Sequence, residues 1–203
     1  MSQTLPCEAV PTHPDFRRLE SIAGAKVDLR YASPCNFVGR DLYSPLDCAW
    51  LHRHAAAALE TSIAWLRERR PELGVLILDA LRPQRVQEEL WAALAGTDLQ
   101  MYLAEPSRGS IHSFGMALDI TLTDAEGTEL DMGTPFDDLT ELSHPAKETQ
   151  FLASGDINAG QVANRALLRG AMAAGGFQGI NTEWWHFDCG DRLAVRRDFA
   201  RVL

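Results

Sequence analysis

The sequence has few of the features that mark an exported, membrane-bound or nucleic-acid-binding protein. No basic segment followed by an apolar segment opens the chain, so we expect no signal peptide. No apolar run approaches the roughly 20 residues that span a bilayer. With 19 basic and 28 acidic side chains the formal charge is −9, which does not favour binding to nucleic acid or to an anionic membrane. We therefore expect a soluble, cytoplasmic protein with neither of these partners.

Closely spaced cysteines and repetitive segments are missing as well. The four cysteines form neither a C-x-x-C pair nor a zinc ribbon; they are Cys7, Cys35, Cys48 and Cys189. We expect free thiols, while their even number leaves a disulfide or a metal role open. The chain shows no internal repeat, low-complexity tract or domain linker, and its 203 residues are typical of one domain.

Hydrophobic periodicity divides the chain into strands and helices. Residues 1–25, with three prolines, are predicted to form an irregular N-terminal arm, and residues 26–203 the main domain. Strands are expected at residues 26–31, 75–80 and 116–122, with a hairpin return at 128–132 and a final strand pair or long strand at 177–189. Helices are expected at residues 46–69 with Ser44 as cap, at 83–95, and from a cap at Asp156 or Asn158 to residue 174.

A histidine and an aspartate lie seven residues apart in the segment Ser110–Asp119, SIHSFGMALD. Imidazole nitrogen and carboxylate oxygen are both zinc ligands, and a catalytic zinc takes three ligands from the protein. In a single regular strand His112 and Asp119 would face opposite sides, because they are an odd number of residues apart. Gly115 permits a turn or bulge that re-aims the chain. We interpret the segment as a loop-borne His112 and a strand-borne Asp119 that share a metal; a purely structural pair is the alternative.

A third ligand and a base are present in the sequence Glu183-Trp184-Trp185-His186. His186 can complete the ligand set. Glu183 can deprotonate a zinc-bound water, whose pKa the metal lowers to about 7. The alternative is a half-buried strand with two core tryptophans and a surface glutamate.

Arg82 follows the apolar run VLILDA and precedes a predicted helix. A fixed positive charge there could stabilise the oxyanion of a tetrahedral intermediate. The same side chain could instead cap the helix or pair with Asp79. His52 and His54 are interpreted as surface or helix-face residues, and His13 and His144 lie beside prolines in polar stretches.

Together these residues form a pattern typical of one known family. Ser110-x-His112-x-x-Gly115-x-Ala117-x-Asp119, followed by Glu183-x-x-His186, resembles the zinc D,D-peptidases that share a fold with the Hedgehog amino-terminal domain. Within them it is most similar to the D-alanyl-D-alanine dipeptidases. The segments DLRYASPCNFVG, LDALRP, MGTPFDD, NRALL and EWWHFD extend the resemblance over about residues 27–188. The resemblance implies a single α+β domain in which helices flank a central antiparallel sheet.

The resemblance also implies a metal site and a catalytic apparatus within residues 26–203. One zinc ion per chain would be bound by His112, Asp119 and His186. Glu183 would act as general base and acid, and Arg82 would stabilise the intermediate.

For the substrate, the resemblance implies a small dipeptide whose ammonium group is held by Asp137. A partner of this kind discriminates against longer peptides. Tyr31 and Ser110 would line the pocket. The chain departs from the family pattern at Leu81, where an aromatic residue is common, and at Cys35, where an acidic residue is familiar; both concern fine specificity.

The expected activity is zinc-dependent hydrolysis of D-Ala-D-Ala to two D-alanines. One alternative is a related D,D-carboxypeptidase or L,D-peptidase that acts on larger peptidoglycan peptides. Another is a binding module that keeps the zinc without turnover, against which the presence of both Glu183 and Arg82 argues. The sequence predicts neither the oligomeric state nor the biological role, such as antibiotic resistance or recovery of D-alanine.

Overall fold

The strands of the protein are short and are assembled around one five-stranded sheet. The computed structural model describes residues 3–203. Its strands are β1 (Thr4–Leu5), β2 (Phe16–Arg18), β3 (Ala25–Val27), β4 (Trp50–His52), β5 (Gly74–Asp79), β6 (Ala117–Thr123), β7 (Phe177–Gly179), β8 (His186–Cys189) and β9 (Arg201–Val202). Its α-helices are α1 (Arg53–Arg69), α2 (Gln84–Ala93), α3 (Glu148–Ser154), α4 (Ala159–Ala174) and α5 (Arg192–Asp198). Strands and helices are thus mixed along one chain, which is the predicted α+β class. Among the described helices, none is long and apolar enough to cross a membrane.

The central sheet is mixed, whereas an antiparallel sheet was expected. Its strand order is β3-β5-β6-β8-β7. The pairs β5–β6, β6–β8 and β7–β8 are antiparallel, but β3 and β5 run parallel. The reason is the connection: a long crossover that includes α1 joins β3 to β5, and a crossover of that length returns the chain in the same direction.

The two faces of the sheet have different partners. Along β6, Leu118, Ile120 and Leu122 belong to the main core together with residues of α1 and α4, such as Leu59 and Leu168. Each fully buried leucine of this kind stabilises the fold by about 2 kcal/mol. Because successive side chains in a strand alternate between faces, Asp119 is directed to the face opposite Leu118, Ile120 and Leu122.

Helix α1 begins later than its sequence predicts. It starts at Arg53 rather than near residue 46, and the cap is His52, whose Nδ1 accepts a hydrogen bond from the backbone N–H of His54. Residues Trp50–His52 form β4, which pairs with β2. This long-range pairing overrides the local helical preference. The other predicted helices are confirmed, and α4 has a capping box between Asn158 and Gln161.

Three predicted strands differ in detail. β3 ends at Val27, and residues Arg30–Ala32 form a 3₁₀ turn. The hairpin return at 128–132 consists only of a bridge between Thr123 and Glu129. Of the two alternatives for residues 177–189 the strand pair is confirmed, as β7 and β8, but Glu183 lies in the connection between them and not in a strand.

The N-terminal segment packs closely against the rest of the chain. β1 pairs with β9 near the C-terminus, and Val10, Leu19 and Ile22 are buried. The division into an arm (1–25) and a main domain (26–203) stays a prediction.

Candidate active site

Three side chains from distant parts of the chain converge on one point beside the central sheet. They are His112, Asp119 and His186, the group among residues 3–203 that could hold a metal ion. His186 Nδ1 lies 3.0 Å from Asp119 Oδ1 and 3.1 Å from His112 Nε2. His112 Nε2 lies 3.4 Å from the same Asp119 oxygen. The two segments singled out in the sequence therefore meet.

His112 is placed by a 3₁₀ turn, Ile111–Phe114, that ends at Gly115. Gly115 has a φ of 63°, the left-handed conformation that glycine adopts without steric cost. The turn lets His112 leave the line of β6 while Asp119 stays in it, as the sequence predicted. His112 Nδ1 donates to the carbonyl of Ala80 at 2.7 Å, which leaves the Nε2 lone pair free to bind a metal.

His186 is held by a carboxylate on its far side. Its Nε2 is 3.0 Å from Asp188 Oδ1, and Asp188 is held in turn by Arg192, whose Nε lies 2.5 Å from Oδ2. This partner leaves Nδ1 of His186 for the metal. Burial lowers the pKa of His186, but the charges of Asp188 and Asp119 outweigh it, so that this pKa is well above its ordinary value. Burial raises the pKa of Asp188, but the nearby His186 and Arg192 lower it by more. The pKa of Asp188 is therefore lowered to about 2.

Sequence reasoning did not assign Asp188 and Arg192 to the site. One signal was available, because Asp188 is two residues after His186 in a strand and so shares its face of the sheet.

Asp119 uses its two oxygens differently. Oδ1 faces the histidines, and Oδ2 accepts a hydrogen bond from Arg82 Nη2 at 3.2 Å. Burial raises the pKa of Asp119, but the imidazoles of His112 and His186 lower it by more, so the pKa is below its ordinary value. Asp119 is therefore a carboxylate, the form that binds a cation.

Arg82 is buried and fixed by several partners. Its Nε and Nη2 donate to Asp79 Oδ2 at 2.8 and 2.6 Å, and its Nη1 donates to Gln87 at 3.1 Å. Asp79 also accepts from the hydroxyl of Tyr43. Arg82 therefore pairs with Asp79, one of the alternatives that the sequence offered, and it also lines the cavity at the candidate site.

The three donor atoms fit a tetrahedral metal. Zinc bonds of about 2.0–2.2 Å at tetrahedral angles separate ligand atoms by roughly 3.3 Å, and the observed separations are 3.0 to 3.4 Å. Ala80 and Asp188 each take the outward nitrogen of one histidine, so both inward nitrogens face the same point. Two imidazole nitrogens and a carboxylate oxygen at these distances form a group that could hold a metal ion.

Glu183 lies beside this group. Its Oε2 is 3.9 Å from His186 Nδ1, and the side chain is largely buried in the cavity wall. Burial raises the pKa of Glu183 to about 7. His186 partly opposes this shift, and the charge of Asp119 adds to it. The neighbouring Trp184 anchors the segment, because its indole N–H donates to Thr134 at 2.8 Å. A carboxyl with this pKa can both accept and donate a proton near neutrality.

A cavity of about 360 Å³ joins these groups to the other predicted residues. Ser110, Tyr31 and Asp137 all line it. Tyr31 donates its hydroxyl to Asp137 Oδ1 at 3.1 Å, while Asp137 Oδ2 is buried without a partner in the described protein. Asp137 also has a φ of 62°, which is unusual for a residue other than glycine. Burial and the charge of Asp119 raise its pKa well above the ordinary value, against the opposing charge of Arg82.

The remaining candidate residues lie around this cavity or away from it. Leu81 is fully buried, and Cys35 is exposed in a shallow pocket that also borders Asp137. All four cysteines are free, as expected. His52 is buried and caps α1, so it is not a surface residue. His144 is also buried, and its Nε2 lies 2.8 Å from the hydroxyl of Tyr102.

Comparison with known proteins identifies the family of the chain. A family model of peptidases, described as D-ala-D-ala dipeptidase, matches residues 15–202. The chain is 37% identical over 163 residues to a D-alanyl-D-alanine dipeptidase of Escherichia coli K12, covering 80% of this chain and 78% of the relative. It is 29% identical over 187 residues to a protein of that name from Streptomyces coelicolor, covering 83% of this chain and 87% of the relative. A third protein of that name, from Synechocystis, is 30% identical over 158 residues, which are 63% of this chain and 64% of the relative. With nearly the whole length matched by this model, the chain belongs to the M15 family of peptidases.

Proposed function

We propose that this protein is a zinc-dependent dipeptidase that hydrolyses D-Ala-D-Ala to two D-alanines. The observation that carries the proposal is one cavity that holds both the donor triad with Glu183 and the unpartnered, buried Oδ2 of Asp137. Cleavage of a peptide bond next to a free ammonium group uses three things: ligands for a metal ion, a base, and a carboxylate oxygen that is free to bind the ammonium. The names of the three relatives support the same substrate.

His112, Asp119 and His186 would hold the zinc ion, one per chain. When bound, zinc lowers the pKa of a coordinated water and polarises a carbonyl oxygen. The protein's contribution is the orientation of its ligands by Ala80 and Asp188, which aims the inward nitrogens at the metal position.

Glu183 carries the proton through the reaction. It accepts a proton from the attacking water and donates it to the amine of the leaving D-alanine, so that the water adds across the peptide bond. A pKa raised to about 7 suits both steps, because neither protonation state is strongly disfavoured near neutral pH.

Arg82 supplies a fixed positive charge beside the reacting carbonyl. Its partners Asp79, Gln87 and Asp119 hold the guanidinium before substrate binds. A preorganised charge of this kind stabilises the oxyanion without reorganisation during the reaction.

Asp137 selects the substrate by its free amino terminus. Its Oδ2 would accept hydrogen bonds from the ammonium, while Tyr31 keeps Oδ1 in place. Ser110, buried in the same wall, would contact the substrate backbone. A longer peptide brings a neutral amide to this position and leaves the carboxylate unpaired, which disfavours it.

We also propose that the arrangement of sheet and helices is of the Hedgehog/D,D-peptidase type, with the catalytic domain at residues 26–203. A cytoplasmic location stays a prediction.

The experiment compares wild type with Glu183→Gln after zinc loading. We expect wild type to bind one zinc per chain and to release D-alanine from D-Ala-D-Ala. Glu183→Gln should keep the zinc and lose activity by about 10²–10⁴-fold. Zinc-loaded wild type that cleaves no D,D-dipeptide would refute the substrate, and a fully active Glu183→Gln would refute the mechanism.

A matched substrate pair separates this function from the alternatives. N-acetyl-D-Ala-D-Ala lacks the ammonium and resembles the end of a larger wall peptide. Faster cleavage of the acetylated compound would indicate a carboxypeptidase, and zinc binding without cleavage of either would indicate a binding module.

A further inference from the structure

The segment that carries Asp137 is held by an arginine that the proposed reaction does not use. Residues 132–143, here called the Asp137 loop, contain no α-helix or β-strand. Arg165 extends from α4 to this loop and is fully buried. Its Nε donates to the carbonyl of Met132 at 2.7 Å, and its Nη2 donates to the carbonyl of Leu142 at 3.1 Å. These carbonyls are five residues before and five residues after Asp137, so one side chain ties the two ends of the loop together.

The charge of Arg165 is balanced only in part. Its Nη1 lies 3.6 Å from Glu148 Oε1 and has no hydrogen-bond partner among residues 3–203. Both oxygens of Glu148 already accept hydrogen bonds from Arg169, at 2.7 and 2.8 Å. Burial lowers the pKa of Arg165 and the charge of Arg169 lowers it further, against the opposing charge of Glu148. Because a buried guanidinium is costly unless it is well paired, the contacts that distinguish Arg165 from an apolar core residue are those with the loop.

A second set of contacts joins the loop to the segment that carries the base. The indole N–H of Trp184 donates to Thr134 Oγ1 at 2.8 Å, and Thr134 Oγ1 lies 2.9 Å from Ser143 Oγ. Ser143 Oγ donates to the carbonyl of Asp138 at 2.7 Å. A hydroxyl group has one hydrogen, so Thr134 is the donor in its bond with Ser143. Trp184, Thr134 and Ser143, here called the donor chain, are all buried, and their hydrogen bonds run in one direction.

The backbone of Asp137 depends on restraints of this kind. Its φ of 62° is uncommon for a residue other than glycine, and such a conformation persists where the surrounding structure determines it. Tyr31 holds one carboxylate oxygen, but it does not contact the backbone there. Arg165 and Ser143 instead bind carbonyls on both sides of Asp137, and neither residue lines the cavity. The direction of the unpartnered Oδ2 is therefore set from behind the cavity wall.

We propose that Arg165 and the donor chain position Asp137 for the ammonium group of the substrate and so determine the preference for a free amino terminus. The inference rests on the proposed dipeptidase function, which assigns the ammonium to Asp137. Arg165 is a positioning residue, because it acts on the loop and not on the substrate. Its planar fork of donors suits the task, since one guanidinium reaches two separate carbonyls.

The test compares two ligands that differ only in the amino group. D-Ala-D-Ala and propionyl-D-alanine, which has hydrogen in place of the ammonium, are titrated into the zinc-loaded Glu183→Gln protein, where turnover does not interfere. Binding is followed by NMR, which also measures weak affinities. In the same protein with Arg165→Met, we expect D-Ala-D-Ala to bind about tenfold more weakly and propionyl-D-alanine less than about twofold. Arg165→Lys keeps the charge but not the fork and should recover part of the loss.

Arg169→Met is the matched control. Arg169 lies one turn further along α4, and its hydrogen bonds among residues 3–203 go to Glu148 rather than to the loop. This variant should leave both affinities within about twofold of the parent protein. Thr134→Val interrupts the donor chain with little change in shape, and we expect the same selective loss, of about threefold. It gives a result even if Arg165→Met does not fold.

Hydrogen exchange supplies a direct measure of the loop. In Arg165→Met the amides of residues 132–143 should exchange faster, while those of β5 and β6 keep the rates of the parent protein. Equally faster exchange throughout the chain would show a general loss of stability and would contradict a role confined to the loop.

The outcomes separate this inference from the proposed function. Equal losses for the two ligands, no loss for D-Ala-D-Ala, or the same selective loss in Arg169→Met would overturn the positioning role. If Arg165→Met removes the preference for the ammonium while zinc-loaded wild type cleaves no dipeptide, the positioning role is right and the proposed function is wrong. If wild type cleaves D-Ala-D-Ala and Arg165→Met keeps the preference, the proposed function stands and the positioning role is wrong.

Discussion

Asp119 and His186 are direct partners across β6 and β8, and their side chains meet with Oδ1 and Nδ1 3.0 Å apart. Asp79 pairs with Asp119 on the other side, in β5. Three neighbouring strands thus bring adjacent side chains to the same face of the sheet. Two metal-ligand candidates are consequently fixed by backbone hydrogen bonds rather than by a flexible loop, which favours a precise geometry.

Asp188 should control metal affinity without touching the metal. Asp188→Ala removes the carboxylate that holds His186 Nε2, so the ring can rotate or change tautomer. We expect zinc affinity, measured by competition with a chromogenic chelator, to fall by about 10- to 100-fold. Asp188→Asn keeps an acceptor and should lose less. Asp198→Ala is the control, since Asp198 is exposed and pairs with Arg197; an equal loss there would contradict the positioning role.

Asp137 should serve substrate binding at the expense of stability. In the folded protein its pKa is raised well above the ordinary value, chiefly by burial, so the ionised form opposes folding at neutral pH. Asp137→Asn should lower kcat/KM for D-Ala-D-Ala by about 100-fold, while the free energy of unfolding in urea stays equal or rises. Asp138→Asn, next along the chain, should change neither quantity strongly. A loss of stability in Asp137→Asn would contradict this account.

The candidate site could be predicted from sequence because its residues belong to two short motifs with clear chemistry. His112, Asp119, Glu183 and His186 were found from residue type and spacing, and the structure brings them together. Gly115 was correctly given a turn. The residues that orient the ligands were missed, because they act through contacts that one sequence does not reveal. The carbonyl of Ala80 is the clearest case, since any residue type supplies it.

Strands and helices were predicted correctly where the local sequence pattern determines them. They were not where pairing between distant segments determines them. β5 follows from an apolar run, and α4 from a cap residue, for which Asp156 and Asn158 were the candidates and Asn158 is the one observed. The start of α1 was wrong because Trp50–His52 pair with Phe16–Arg18, and this pairing is determined by tertiary structure. The parallel direction of β3 was likewise set by the crossover through α1 rather than by its own sequence.

His52 should make the stability of the protein depend on pH. It is buried beside Phe16 and Phe199, and its pKa falls from 6.5 to about 4, chiefly through burial and then through His54 and Arg53, with Asp15 opposing. The folded state therefore disfavours the proton, and the unfolded state binds it first as the pH falls. Stability from this residue is complete above about pH 6.5 and is lost between pH 6.5 and 4, by about 3 kcal/mol at most.

The measurement compares urea unfolding of wild type and His52→Asn at several pH values. Asparagine keeps a helix cap but does not titrate, so the difference in unfolding free energy between the two proteins should shrink as the pH falls from 6.5 to 4. A constant difference across this range would show that His52 does not titrate as described. Because only the difference is used, other titrating groups cancel.

Gly115 should be among the most sensitive glycines of the chain. A Cβ there would lie 2.8 Å from the backbone nitrogen of His52 and 2.9 Å from Phe16 Cε1, in a residue whose φ is +63°. Gly155 has a φ of +83° but nothing within 4 Å of a Cβ, so it reports the cost of the left-handed backbone alone. We expect Gly155→Ala to lower the free energy of unfolding by about 1 kcal/mol and Gly115→Ala by about 3 kcal/mol. Gly115→Ala should also weaken zinc binding, because the turn that it distorts carries His112, whereas Gly155→Ala should leave zinc affinity unchanged. If the two variants lost equal stability in urea titrations and both retained zinc, the contact between Gly115 and β4 would not be what positions the metal ligand.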